Sequence, residues 1–136
     1  MDLTTDQDRL QLSLFLIRVS VFGVMLLWTI DKFINPAHAS QVYEHFYFIA
    51  GLEHEVMYVL GALELMVLIA FLIGFEQTWS YGMVMIFHAV STLASWKIYL
   101  DPFGAPNILF FTAWPMLAAC ITLFLMRRHD RFMTLP

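Results

Sequence analysis

Residues 12–34, LSLFLIRVSVFGVMLLWTIDKFI, are a hydrophobic run whose charged side chains are Arg18, Asp31 and Lys32. A helix needs about 20 residues, each rising about 1.5 Å, to cross the roughly 30 Å hydrocarbon core of a bilayer. Lipid offers the backbone no hydrogen-bond partner, so such a segment is expected to be helical. The stretch therefore predicts a membrane-spanning helix.

Three more hydrophobic segments follow, at about 56–75, 79–100 and 107–126. The composition agrees with four crossings, because 60% of the 136 residues are apolar and only 13% are charged. A soluble domain carries about 25% charged residues. We therefore predict an all-α fold, an integral membrane four-helix bundle that forms a single domain over residues 1–136. The net charge of −4 gives no basic surface for nucleic acid, and the single Cys120 excludes an internal disulfide.

The connection between the first two segments carries a helical pattern of its own. Asn35 and Pro36 make a favourable helix start, with a capping residue followed by proline at the first helical position. Apolar side chains then recur at helical spacing at Ala39, Tyr43 and Phe46, with polar side chains opposite. The pattern predicts a short amphipathic helix between helices 1 and 2 that lies in the membrane interface.

Basic residues near the segment ends predict the orientation. Arg9 and the three Arg residues within 127–131 flank one side, whereas Lys32 and Lys97 flank the other. The side richer in Lys and Arg is normally cytoplasmic, so we expect both termini in the cytoplasm. The first segment is too long for a signal peptide and is preceded by acidic residues, so we expect it to be retained.

Several ionisable side chains fall where lipid should be. Glu64 and His88 lie near mid-membrane on neighbouring antiparallel segments, and Lys32 follows Arg18 by 14 residues, so that both point the same way. An ionisable group inside a span needs a partner or a function. Two interpretations of Arg18 stay open, namely a pair with Glu64 or a side chain that extends to the nearer membrane surface.

The third segment has a polar stripe, and its members fall at helical spacing: Tyr81, His88, Ser91, Thr92, Ser95 and Tyr99. The stripe indicates a face turned to the bundle interior or to a wet cavity, although Ser and Thr in spans also serve as helix-packing contacts. Haem ligation by two histidines requires a facing pair within the membrane. Only His88 lies within a predicted span, so we expect no haem. The group His38, His45, Glu53, His54 and Glu55 is expected to be a solvated surface, so we predict no metal site.

The motifs resemble the DoxX family of small membrane proteins. Arg18-Val19, with Gly23 and Asp31-Lys32-Phe33, is similar to the first helix of that family, and Leu63-Glu64-Leu65 with Gly74-Phe75 is similar to its second. The resemblance covers about residues 10–126 and includes Asn107 before the last segment. The chain departs from the family pattern at Asp31 and in its basic ending, 127–131.

The resemblance implies a redox-linked protein of a bacterial inner membrane. The name-giving members look like the small membrane subunits of a thiosulfate:quinone oxidoreductase. When the functional residues of the family are transferred to the matching positions of this chain, the resemblance implies that Arg18, Lys32 and Glu64 are functional.

Our leading hypothesis is a redox-associated subunit that binds a quinone or a small anion at an intramembrane network. Its ligand-binding residues would be Arg18, Lys32, Glu64, His88, Ser91 and Tyr99. Glu64 and His88 are the candidate catalytic residues, with Glu64 relaying a proton and His88 or Tyr99 donating to a quinone carbonyl. We expect no intrinsic cofactor, so quinone is the one candidate and electrons would come from a partner subunit or a bound quinone. The sequence leaves open whether the chain is an enzyme.

Two alternatives stay open beside it. One is a non-catalytic accessory or assembly subunit of a larger respiratory or transport complex, in which the charged residues serve assembly. The other is a small-molecule channel or carrier that works as an oligomer. The expected partners are therefore the lipid bilayer together with a larger membrane complex or further copies of the chain.

Overall fold

The computed structural model describes residues 3–136, and the regular structure in that range is helical. The helices are α1 (Asp6–Ile34), α2 (Pro36–Tyr47), α3 (His54–Leu72), α4 (Gln77–Ala94), α5 (Trp96–Tyr99), a 3-10 helix (Asn107–Thr112) and α6 (Ala113–Met126).

Three segments of the described chain are long and apolar enough to cross a membrane: Asp6–Ile34, His54–Leu72 and Asn107–Met126. The all-α class and the membrane character are therefore confirmed. The predicted third crossing, 79–100, is not one continuous helix, because α4 ends at Ala94 and the short α5 follows Ser95. The four-helix membrane bundle stays a prediction.

The four long helices pack in a closed order. Contacts join α1 to α3, α3 to α4, α4 to α6 and α6 back to α1. The enclosed core consists of apolar side chains from all four: Leu14, Val21, Val67, Leu68, Phe71, Tyr81, Val84, Cys120 and Leu123. Because Arg18 and Lys32 are buried on the same face of α1 as this core, their predicted shared direction is confirmed.

The molecule has two ends, which we call the α2 end and the tail end. The α2 end carries α2, the start of α3, and α5, whereas the tail end carries the start of α1, the α3–α4 turn and residues 127–136. Which end faces the cytoplasm stays a prediction.

The amphipathic segment forms α2, as its pattern predicts. Asn35 precedes Pro36 at the helix start, but the Asn35 side chain makes no capping hydrogen bond. The small side chain of Ala39 is buried, and α2 contacts α1, α3 and α4. The helix ends at Tyr47, and Phe48 after it adopts a left-handed conformation with φ of 58°.

Helices α3 and α4 form the expected antiparallel hairpin. Its turn includes Gly74, whose φ is +67°. A Cβ at this position would lie 2.5 Å from Cγ2 of Thr134, so glycine is needed both for the turn and for the close approach of the C-terminal segment.

The last hydrophobic segment changes its helix type instead of running as one α-helix. It is a 3-10 helix up to Thr112 and α-helical from Ala113. Pro115 lies in the first turn of α6, where a helix does not require the missing N–H. The change from 3-10 to α geometry therefore comes just before Pro115.

Candidate functional site

The residues predicted to form one network lie in separate places. Lys32 and Glu64 meet toward the α2 end, Arg18 is bound near the tail end, and His88 bonds to α6.

The first group, which we call the Lys32 cluster, consists of Thr29, Lys32, Tyr43 and Glu64. Nζ of Lys32 lies 2.9 Å from Oε2 of Glu64, and the Thr29 hydroxyl donates to the same oxygen over 3.1 Å. The Lys32 ammonium also lies 5.8 Å from the centroid of the Tyr43 ring, a cation–π distance. The cluster joins α1, α2 and α3.

The direction of side chains on a helix explains this pair. Side chains on an α-helix tilt toward its N-terminus, so Lys32, near the end of α1, points back into the bundle toward Glu64. Nζ also lies 3.5 Å from the Trp28 carbonyl one turn earlier. The charge of Glu64 is therefore balanced by the lysine at the α2 end of α1, and Arg18 is not its partner.

Gly61 brings α1 and α3 close enough for this contact. It lies one turn before Glu64, and a Cβ there would come within 2.8 Å of the Phe33 ring and 3.3 Å of the Lys32 Cβ. Sequence reasoning missed both Gly61 and Thr29. The available signal was a glycine three residues before a mid-span carboxylate, which places both on one helix face.

The Lys32 cluster is only partly closed. The Lys32 side chain is 9% exposed and that of Glu64 is 23% exposed. Both described contacts to Glu64 end on Oε2, which leaves Oε1 as the oxygen available to a ligand or a proton. Burial, and then the negative charge of Glu64, raise the pKa of Tyr43 to about 12. Tyr43 therefore stays a neutral phenol at physiological pH.

The second group, the Arg18 cluster, consists of Arg18, Tyr81 and Asp130. Nη1 of Arg18 lies 3.0 Å from Oδ2 of Asp130, and both charged side chains are fully buried. The Tyr81 hydroxyl donates to the same oxygen over 2.6 Å and accepts from Nη1 over 3.1 Å. Nη2 donates to the Phe132 carbonyl over 2.6 Å.

The interpretation that Arg18 pairs with Glu64 is therefore wrong. Arg18 precedes Lys32 by 14 residues, about 21 Å along a helix, and its side chain tilts toward the tail end. Its actual partner, Asp130, follows the last hydrophobic segment and gave no sequence signal of burial. Arg18 points toward the tail end, where the C-terminal residues Asp130 and Phe132 bind it. That this end is the nearer membrane surface stays a prediction.

Residues 127–136, the C-terminal segment, are held at several points besides Arg18. Oε1 of Gln11 accepts from the backbone N–H groups of Arg131 and Phe132, each over 2.9 Å. The Gln77 amide donates to the Asp130 carbonyl over 2.7 Å, and the Leu135 N–H donates to the Ile73 carbonyl over 2.8 Å. The segment therefore closes the tail end, and Arg18 is occupied by structural contacts.

The other predicted site residues make contacts apart from both clusters. Nε2 of His88 lies 2.9 Å from the Ala113 carbonyl and must carry the hydrogen, since a carbonyl only accepts. Ser91 is exposed, and Tyr99 packs against Phe111 and Trp114 with ring centroids 5.3 and 5.5 Å away.

The histidines at the α2 end do not gather into a metal site. Nδ1 of His38 lies 2.6 Å from Oδ2 of Asp31. Within residues 3–136, no three His, Cys, Asp or Glu side chains are placed to hold a metal ion.

No known family profile, curated protein or solved structure matches this chain. The resemblance to the DoxX family accordingly stays a prediction.

Proposed function

We propose that this chain is a redox-associated membrane subunit that binds a quinone head group or a small anion at the Lys32 cluster. The observation that carries the proposal is the contrast between two ion pairs. The Lys32–Glu64 pair keeps part of its surface open, whereas both side chains of the Arg18–Asp130 pair are fully buried. Arg18 is accordingly left out of the proposed ligand site.

The chemistry of the cluster suits an oxygen-bearing ligand. An ammonium group has three N–H donors, and Lys32 directs one to Glu64 and one toward the Trp28 carbonyl. The remaining N–H can bind an anion or a quinone carbonyl oxygen. Glu64 can then exchange a proton with that ligand through Oε1, as general acid–base chemistry requires.

A redox role would require a second component. Reduction of a quinone to a quinol takes up two electrons and two protons. Glu64 is the residue we assign to proton exchange, and the electrons would enter from a partner subunit. We place this assembly in a bacterial inner membrane with both termini cytoplasmic, as the basic residues and the DoxX resemblance favour.

Ligand titration of the purified protein tests this proposal. A short-chain quinone is titrated into the detergent-solubilised protein, and binding is followed by quenching of tryptophan fluorescence. We expect Lys32→Met to weaken quinone binding about tenfold, because the substitution removes one charge-assisted hydrogen bond to the ligand. Glu64→Gln should fold and still bind, but with a changed quinone affinity, because it removes the negative charge that holds the Lys32 ammonium.

Glu53→Gln is the matched control, because Glu53 is exposed at the same end of the molecule. It should leave the quinone affinity unchanged. Quinone affinity that is the same in the native protein, Lys32→Met and Glu64→Gln would contradict the proposed site.

A second candidate function is an accessory subunit of a larger membrane complex. The completely buried Arg18–Asp130 pair is consistent with it, because one of the charged residues of the predicted ligand network has a structural role instead. Mass spectrometry of the gently extracted complex separates the two candidates. A bound quinone supports the first, and a stoichiometric larger partner without quinone supports the second. The oligomeric channel or carrier stays a prediction.

A further inference from the structure

A cavity of about 540 Å³ opens at the α2 end, between α2 and the junction of α4 with α5. Its volume falls within the range of roughly 300–1,000 Å³ that is common for small-ligand sites. Charged and aromatic side chains line it: Glu44, His45, Phe46, Phe48, Trp96 and Lys97. The cavity shares none of these residues with the Lys32 cluster.

The cavity contains two opposite charges that do not neutralise each other. Lys97 and Glu44 both line it, yet within residues 3–136 neither forms an ion pair with the other or with any other side chain. The Lys97 ammonium instead lies 5.7 Å from the Phe48 ring centroid and 5.6 Å from that of Trp96. A ligand that carries one negative and one positive group would satisfy both charges.

The surroundings of the cavity are those of a membrane interface. Phe48 and Trp96 are exposed aromatic residues, a type enriched where hydrocarbon meets head groups. Leu93 and Leu100, on either side of this segment, are 62% and 75% exposed, which provides apolar surface for acyl chains. A charged ligand held here therefore has its polar part in the cavity and its apolar part on the helix surface.

We propose that this cavity binds the head group of a zwitterionic phospholipid, with the phosphate at Lys97 and the ammonium at Glu44. His45 supplies a ring N–H beside the phosphate. Phosphatidylethanolamine fits these residues, because its primary ammonium can donate hydrogen bonds to a carboxylate. An anionic lipid such as phosphatidylglycerol would leave Glu44 without a partner and facing negative charge. This site does not depend on the proposed quinone function.

Native mass spectrometry in mild detergent tests the proposal, with phosphatidylethanolamine and phosphatidylglycerol added in equal amounts. The native protein should retain phosphatidylethanolamine preferentially. Lys97→Gln should weaken binding of both lipids about tenfold, since each loses its phosphate contact. Glu44→Gln should weaken phosphatidylethanolamine binding by a similar factor and reverse the preference toward phosphatidylglycerol. Glu44 and Lys97 are both exposed, so neither substitution disturbs the core.

Arg128→Gln is the matched control, because it removes one exposed positive charge at the opposite end of the molecule. It should leave both lipid affinities unchanged. A native protein without preference between the two lipids, or an unchanged preference in Glu44→Gln, would overturn the zwitterionic site.

Water-soluble phosphoethanolamine distinguishes a lipid from a free head group as the ligand. We expect it to displace the lipid only at a large excess, because it lacks the acyl chains that contact the helix surface. Displacement at equimolar concentration would overturn the assignment to a lipid.

Discussion

The buried Arg18–Asp130 pair should hold the C-terminal segment against the bundle. In Arg18→Met, Asp130 keeps its bond from Tyr81 but loses the only positive charge that faces it within the described chain. Breaking a buried ion pair by removing one partner costs about 3–5 kcal/mol. Arg18→Met also removes the donor to the Phe132 carbonyl. We therefore expect a loss near the upper end of that range.

Asp130→Asn should cost less, about 2–3 kcal/mol, because the amide oxygen still accepts from Tyr81 and Arg18 keeps its carbonyl partners. The double variant should lose about 2 kcal/mol less than the sum of the single losses, since the unpaired charge has then been removed. The free energy of unfolding is measured in mixed micelles, with SDS as denaturant and helix content followed by circular dichroism.

Trypsin provides a second readout, because the C-terminal segment contains Arg127, Arg128 and Arg131. Arg18→Met should accelerate cleavage within this segment under native conditions. The exposed Arg9–Asp6 pair, at 3.7 Å, is the control cycle, and its coupling should stay below about 0.5 kcal/mol. Losses for Arg18 and Asp130 that add within about 0.5 kcal/mol, with unchanged cleavage, would show that this pair does not hold the C-terminal segment.

Three further predictions concern the helix contact, Tyr43 and the topology. Gly61→Ala places a methyl group 2.8 Å from the outer edge of the Phe33 ring and 3.3 Å from the Lys32 Cβ, so the exposed ring must move aside, and the free energy of unfolding should fall by about 1 kcal/mol. Gly23→Ala, where no atom lies within 4 Å of the added Cβ, should instead leave stability unchanged or raise it by up to about 1 kcal/mol. Because its pKa is raised to about 12, Tyr43 should form phenolate about two pH units above free tyrosine. The contribution of neutral Tyr43 to stability is present below pH 10 and is lost as the pH rises toward 12. The absorbance of the native protein minus that of Tyr43→Phe measures phenolate formation. A difference titration near pH 10 would contradict the raised pKa. Single cysteines at Gln41 and Asp101 should react with an impermeant thiol reagent from outside the cell, whereas one at Gln77 should react only after permeabilisation; labelling of Gln77 in intact cells would reverse the proposed orientation.

Local patterns in the sequence were sufficient for the helices and for the faces they bury. Hydrophobic length predicted crossings at about 12–34, 56–75 and 107–126, where the structure has Asp6–Ile34, His54–Leu72 and Asn107–Met126, and helical spacing predicted α2. The break at Ser95 was not predicted, because the apolar residues continue through the end of α4 into α5.

The partners of the charged residues were decided only by the tertiary structure. The sequence offers Arg18 several carboxylates, and nothing local distinguishes Glu64, 46 residues away, from Asp130, 112 residues away. The choice depends on depth and on side-chain direction, because long side chains on α1 tilt toward the tail end. Lys32 consequently meets Glu64 where Gly61 lets the helices approach, and Arg18 meets the returning C-terminal segment. A helix face is a property of residues within a few turns, whereas an ion pair requires the relative placement of distant segments, which only the folded packing provides.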